Sequence, residues 1–207
     1  MSRRGVGLVD YGVGNLASVK RALLGMGYRC EISGQPDELD KADLLLLPGV
    51  GTFPAAMEGL KRNGLCEFLR DWAARDRPML GICLGMQLFA ESSTEIHLTE
   101  GLGLIPGQVA PLGTPHWHIG WNRIQTVRAD DLLQAAEDSH VYFNHSYVFQ
   151  TTPEHQLATA RVNGSGTSVT VAVRRGNLVG LQFHPEKSQA AGRKLLIHLI
   201  ESLCHDQ

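Results

Sequence analysis

The sequence predicts an α/β fold with a mainly parallel central sheet, flanked by helices and extended by antiparallel strands late in the chain. Three observations carry this. Short, wholly apolar runs such as Gly5-Val6-Gly7-Leu8-Val9 and Leu44-Leu45-Leu46-Leu47 mark strands buried on both faces. Segments of helical spacing alternate with such runs through the first ninety residues. From Gly107 onward the pattern changes to strands with hairpin-like connections.

Taken in order, Gly5–Val9 is the first buried strand. Asn15 can cap a helix whose Leu16, Val19, Leu23 and Met26 keep helical spacing until Gly27 stops it. Leu44–Leu47 is the second strand, ended by Pro48-Gly49. Helices follow over 55–61 and 65–74. Arg77-Pro78-Met79-Leu80 leads into a strand that turns at Gly81-Ile82-Cys83-Leu84-Gly85, and residues 86–91 read as the first turns of another helix. Strands are expected over 122–127, 141–150, 156–162, 168–174 and 178–183. Ser188 then opens a closing helix through Leu195, Leu196, Leu199 and Leu203. No repeat, low-complexity tract or linker divides the 207 residues, so residues 1–207 read as one domain.

Composition excludes several function classes. A hydrophobic share of 43% marks a globular chain. Nineteen basic against 21 acidic residues give a net charge of -2, which offers no footprint for nucleic acid or an anionic membrane. No apolar run approaches the roughly 20 residues that span a bilayer. Met1-Ser2-Arg3-Arg4 is basic but is not followed by a signal-peptide cleavage region. Cys30, Cys66, Cys83 and Cys204 are scattered without a C-x-x-C pair, which favours a reducing cytoplasm over a disulfide framework or zinc site. His116, His118 and His145 lack the carboxylate or cysteine spacing that would complete a metal set, so no metal is expected.

The chemistry-bearing segments are two. Gly81-Ile82-Cys83-Leu84-Gly85 has the form of a nucleophile elbow with cysteine in the serine position. Its glycines let the backbone take a strained turn, a helix start favours the thiolate, and free N–H groups can receive an oxyanion. Gln182-Phe183-His184-Pro185-Glu186 supplies a base and an orienter. In an extended segment His184 and Glu186 project to the same side, with Pro185 stiffening the link. Read alone, Cys83 has the alternative of a buried structural cysteine, and His184 with Glu186 that of a surface pair beside a turn proline.

Together these two segments resemble the triad (class I) glutamine amidotransferases over nearly the whole chain. Asp10-Tyr11-Gly12-Val13-Gly14-Asn15, Pro48-Gly49-Val50-Gly51, His118-Ile119-Gly120-Trp121-Asn122, Tyr142-Phe143-Asn144-His145-Ser146-Tyr147 and His184-Pro185-Glu186-Lys187-Ser188 are similar to glutaminase subunits of imidazole glycerol phosphate synthases. The resemblance implies a class I amidotransferase-like fold with Cys83 as nucleophile, His184 as acid and base, and Glu186 as its orienter. It implies an oxyanion hole from the N–H of Val50 or Gly51 with that of Leu84. Gln87 and Glu95 would contact glutamine, Glu95 meeting its α-ammonium, while His145, Ser146 and Tyr147 cradle the substrate largely through backbone. As isolated residues, Gln87 and Glu95 would more often be solvated.

No cofactor is implied. The implied partner is a (β/α)8-barrel cyclase in a heterodimer, faced by Trp121, Tyr142 and Lys187. The alternative for Trp121 is packing in the chain's own core. The barrel would combine ammonia with a phosphoribulosyl-aminoimidazole-carboxamide substrate to give imidazole glycerol phosphate and an aminoimidazole carboxamide ribotide, a step of histidine biosynthesis. Asn144 and Val148 depart from the residues usual beside the substrate segment. The competing functions are another triad subunit, serving anthranilate or pyridoxal phosphate synthesis, and a catalytically silent binding subunit on the same fold.

Overall fold

The computed structural model describes residues 4–128, 130–136, 139–162 and 166–205. Strand β1 (Gly5–Val9) leads to helix α1 (Leu16–Gly25), where Asn15 Oδ1 accepts the Ser18 N–H at 3.3 Å, as its place in the sequence predicts. Then come β2 (Arg29–Ser33), the single turn α2 (Pro36–Leu39) and β3 (Leu44–Leu47). Helices α3 (Phe53–Arg62) and α4 (Leu65–Ala74) precede β4 (Met79–Ile82) and α5 (Leu84–Gln87). Short strands β5 (Ser92–Ser93), β6 (Thr99–Glu100) and β7 (Gln108–Pro111) follow. Next are β8 (His118–Arg123), β9 (Gln125–Thr126), β10 (His140–His145) and β11 (Tyr147–Gln150). The chain closes with β12 (Gln156–Arg161), β13 (Ser168–Arg175), β14 (Leu178–Leu181) and α6 (Gln189–His205).

Eight strands form the main sheet in the order β2-β1-β3-β4-β14-β13-β12-β9. From β2 to β14 neighbours are parallel, and β13, β12 and β9 add antiparallel pairs. The four leucines of β3 explain its lack of polar alternation. Leu44 and Leu46 enter one core with Leu8, Leu23, Ile82 and Leu199, while Leu45 and Leu47 enter the opposite core with Phe53, Leu60, Trp72 and Phe89. Strand β2 escaped the sequence reading because it lies at the sheet edge, where Arg29 and Glu31 are exposed between Cys30 and Ser33.

The strand expected over 141–150 is two strands, broken at Ser146. His140–His145 pairs with β8 as a two-stranded sheet, whereas Tyr147–Gln150 joins β7 in a separate four-stranded sheet. Ser146 supplies its carbonyl to Leu112 N–H at 2.9 Å between them. The helix expected over 86–91 also differs. It lasts one turn, because the carbonyls of Leu88, Phe89 and Ala90 accept N–H groups from Leu102, Gly103, Leu104 and Ile105 instead of continuing the helical ladder. Ser188 does not cap α6 with its side chain. Its hydroxyl accepts the Tyr142 N–H at 2.9 Å and donates to the His184 carbonyl at 2.7 Å, which ties β10 to the segment after β14. Among the described residues no helix is long and apolar enough to cross a membrane.

Candidate active site

Parallel register brings the site together. Leu181 stands opposite Ile82, and Leu47 opposite Gly81, so the residues after three strand ends meet at one edge of the sheet. Cys83 follows β4 with φ 55° and ψ -109°, and its N–H is held by the Leu181 carbonyl at 2.7 Å. That positive φ is costly for a residue with a Cβ and marks the elbow as strained. The flanking glycines do a different job from the one expected. Neither carries the positive φ. They are needed for space: a Cβ on Gly81 would lie 2.7 Å from the Gly85 carbonyl oxygen, and one on Gly85 would run into the carbonyl of Leu47. Since α5 is one turn long, little helix dipole acts on the thiol.

His184 and Glu186 meet as a pair, although not by extended-strand geometry. Pro185–Lys187 is a single 3-10 turn that folds Glu186 back so that His184 Nδ1 donates to its Oε1 at 2.8 Å. Both side chains are almost fully buried, which rules out a solvated surface pair. Burial pushes the His184 imidazole down, but hydrogen bonds to Cys83 and Glu186, with the charges of both, outweigh it and raise it to about 9. The backbone of His184 is fixed too, its N–H donating to Tyr142 O at 2.9 Å.

A cleft of about 300 Å³ opens over Cys83 and His184, and Val50, Gly51, Leu84, Gln87, Glu95, His145, Ser146, Tyr147 and Lys187 line it with Asn144. Every residue expected at the oxyanion hole and substrate site is thus in one place. Larger hollows of about 560 and 410 Å³ lie beneath Arg70 and Arg175 and beside Arg29 and Lys41, but neither contains a nucleophile paired with a base. Gln87 and Glu95 are buried, so the solvated alternative does not hold for them. Glu95 Oε2 accepts the Phe53 N–H at 2.7 Å. Burial raises the Glu95 carboxyl and that hydrogen bond lowers it, burial winning, so a cation arriving in the cleft would be met by a poorly solvated acid.

Tyr11, named in the sequence only as part of a motif, holds the Pro48-Gly49-Val50-Gly51 segment in place. Its hydroxyl donates to Pro48 O at 2.5 Å, and burial, then the neighbouring Cys83, raises the phenol far enough to keep it a donor. A Cβ on Gly49 would strike that hydroxyl and lie 2.9 Å from Leu84 Cβ, whereas Gly51 has open space but φ +105°. Gly49→Ala is therefore expected to displace the segment and lower glutamine turnover roughly 10²-fold, the scale of one lost oxyanion donor. Steady-state kinetics of the variant, beside a melting curve that shows it folded at the assay temperature, would check this, and wild-type turnover would show that the segment donates nothing.

A model of the class I glutamine amidotransferases matches residues 7–200. The imidazole glycerol phosphate synthase subunit HisH of Halalkalibacterium halodurans is 45% identical over 201 residues, covering 92% of each chain. That of Shouchella clausii is 43% identical over 199 residues, covering 92% of this chain and 95% of that protein. This chain belongs to the class I glutamine amidotransferases. Within them it belongs with the HisH subunits. The fold agrees: the structure of PurLQS from Thermotoga maritima superposes with a TM-score of 0.77 over 98% of this chain and 100% of that one, at 20% identity.

In this amidotransferase Trp121 is 43% exposed, so the reading that packs it in the core does not hold. Trp121 meets Tyr142 edge-on at 6.1 Å between ring centroids, and Tyr142 lies 6.4 Å from the His184 ring. Lys187 is exposed beside them. His118 and His145 are buried and bonded to each other, Nδ1 to Nε2, at 3.0 Å, while His116 is exposed. Burial lowers both imidazoles to about 4, keeping them neutral, and His145 Nδ1 is bonded to Tyr147 O at 2.9 Å. The two buried histidines therefore brace the His145-Ser146-Tyr147 segment. Gln182 is assigned no role of its own by the sequence. It is fully buried beside Cys83, and only the pairing of β14 with β4 reveals that.

Proposed function

We propose that Cys83, His184 and Glu186 carry out glutamine hydrolysis as the glutaminase half of an imidazole glycerol phosphate synthase. The observation that carries this reading is a cysteine at a strained elbow that shares one cleft with a buried histidine whose Nδ1 is held by a carboxylate. The Cys83 thiolate attacks the carboxamide carbon of glutamine. The oxyanion forms between the N–H of Leu84 and that of Val50 or Gly51. The His184 imidazolium gives its proton to the departing ammonia, leaving a γ-glutamyl thioester on Cys83. His184, now neutral, takes a proton from water, and the resulting hydroxide releases glutamate and frees the sulfur. Gln87, Glu95 and the His145-Ser146-Tyr147 segment hold the substrate, Glu95 taking its ammonium.

Ammonia is protonated in bulk water at neutral pH and loses its nucleophilicity, so it must pass directly to an acceptor. This is the physical reason for a partner, and we infer a (β/α)8-barrel cyclase that makes imidazole glycerol phosphate for histidine biosynthesis. Kinship with HisH subunits favours this over subunits serving anthranilate or pyridoxal phosphate synthesis. Four free cysteines suit a reducing cytoplasm.

The docking face follows from exposed apolar surface. Ile119 and Trp121 both stand out from β8, with Trp117 exposed just before it. Wet tryptophans make strong interface anchors. Trp121→Ala should weaken association with the cyclase at least tenfold, about 1.4 kcal/mol, while the melting temperature of the free chain barely moves. Titration calorimetry and thermal unfolding together decide it. A lower melting temperature with unchanged affinity would move the docking face elsewhere, and glutamine-driven product formation with a cyclase subunit tests the pairing itself.

A further inference from the structure

We propose that Gln182 is a catalytic residue of this site, its side-chain N–H donating to the Cys83 sulfur and stabilising the thiolate. The inference rests on the reading of Cys83 as nucleophile. Three polar groups in a row establish the orientation. Gln87 Nε2 lies 3.1 Å from the Tyr147 carbonyl, which can only accept, so the amide nitrogen of Gln87 must face it. The same nitrogen lies 3.0 Å from the Gln182 side chain, which must therefore present its oxygen there. That leaves the Gln182 NH2 group directed at Cys83 Sγ, 3.7 Å away. Neither amide can flip without setting donor against donor or leaving a buried group unpaired.

The environment makes this contact matter. Gln182 is fully buried and Gln87 nearly so, and a hydrogen bond to an ionised sulfur in such a place is stronger than one to a neutral thiol. With α5 only one turn long, the Gln182 amide joins the His184 imidazolium in favouring negative charge on Cys83. The arrangement also assigns Gln87 a second duty. Both donor directions of its NH2 are used within the protein, so that group clamps Gln182 and the Tyr147 carbonyl, and only its oxygen is left for substrate. The titratable groups around the sulfur are Tyr11 from the end of β1, His184, Glu186 and Lys187 from the segment after β14, His145 from β10, and Glu95 across the cleft.

The test is the pH dependence of iodoacetamide alkylation at Cys83 in the full chain, followed by mass spectrometry of its peptide so that the other three cysteines do not interfere. Gln182→Met keeps the volume and removes the donor. It should move the midpoint of alkylation upward by about one pH unit and slow the reaction about tenfold at neutral pH. Gln182→Glu puts an oxygen against the sulfur and should move the midpoint at least as far. A merely structural glutamine would lower thermal stability without shifting the midpoint, and an unmoved midpoint in folded variants overturns the proposal. Gln87→Met, which removes the group that orients Gln182, carries the same test if either Gln182 variant fails to fold: a smaller upward shift supports the role, and none rejects it. Alkylation reads the ionisation of the sulfur alone, so this result is separable from a failure of the nucleophile assignment, which glutamine turnover by Cys83→Ala would expose.

Discussion

Replacing Cys83 with alanine is expected to lower glutamine hydrolysis by at least about 10⁴-fold, because no covalent intermediate can form and only binding and the oxyanion hole remain. The fold should survive. Cys83 is held through its backbone, by the 2.7 Å bond to Leu181 O, and alanine accepts its positive φ no worse than cysteine does. In complex with the proposed cyclase the variant should still make product from ammonium salts, since the acceptor chemistry is assigned there to the other subunit. The measurement is a pair of rates, one with glutamine and one with ammonium. Glutamine-driven turnover near the wild-type rate would refute the nucleophile assignment. Loss of both rates would instead point to a damaged assembly.

Glu186→Gln is expected to lower turnover about 10³-fold and to change its pH dependence, since the neutral amide no longer secures the His184 tautomer or its charge. His184 stands at about 9, above its ordinary 6.5, because its partners outweigh burial. Wild-type activity should therefore decline on an alkaline limb near pH 9, where the imidazolium that protonates ammonia is lost. In the variant that limb should move toward neutral pH. The sign for stability is the same. A raised folded-state value contributes stability that is fully present below about pH 6.5 and is lost as pH rises through about 9. Thermal unfolding should show the variant most destabilised, relative to wild type, at pH 6, with the difference shrinking above pH 9. An unchanged alkaline limb would remove Glu186 from the role of orienter. The carboxylate holds one further feature: its Oε2 has no hydrogen-bond partner among the described residues, so all of its bonding is directed at His184 through Oε1.

Much of the fold was legible because its signals are local. Leu44–Leu47 had to be a strand buried on both faces, and β3 divides those leucines between two cores. The α4 helix begins and ends where its apolar spacing does. The elbow and the His184-Pro185-Glu186 segment pointed to the proposed cysteine nucleophile and its helpers, because each motif is contained within a few residues. What went unread depends on long-range contacts. The edge strand β2 has the polarity of a loop, since one face meets water. The helix expected over 86–91 stops after one turn because a loop fifteen residues further on captures its carbonyls. The break at Ser146 exists because two different sheets claim the two halves of the segment.

The site divides along the same line. Residue types and their order along the chain determined which atoms could react: a thiol between close-packed glycines, an imidazole, and a carboxylate two positions on. Tertiary structure decided how they are poised. It made Pro185–Lys187 a turn rather than a strand end, gave Cys83 the strain its neighbours were expected to carry, and left Trp121 in solvent. It also laid Gln182 against a sulfur 99 positions away through the parallel register of β14 and β4. Hydrogen-bond orientation and burial are properties of neighbours in space, and the neighbours that tune this thiol are brought to it only by the pairing of strands distant in sequence.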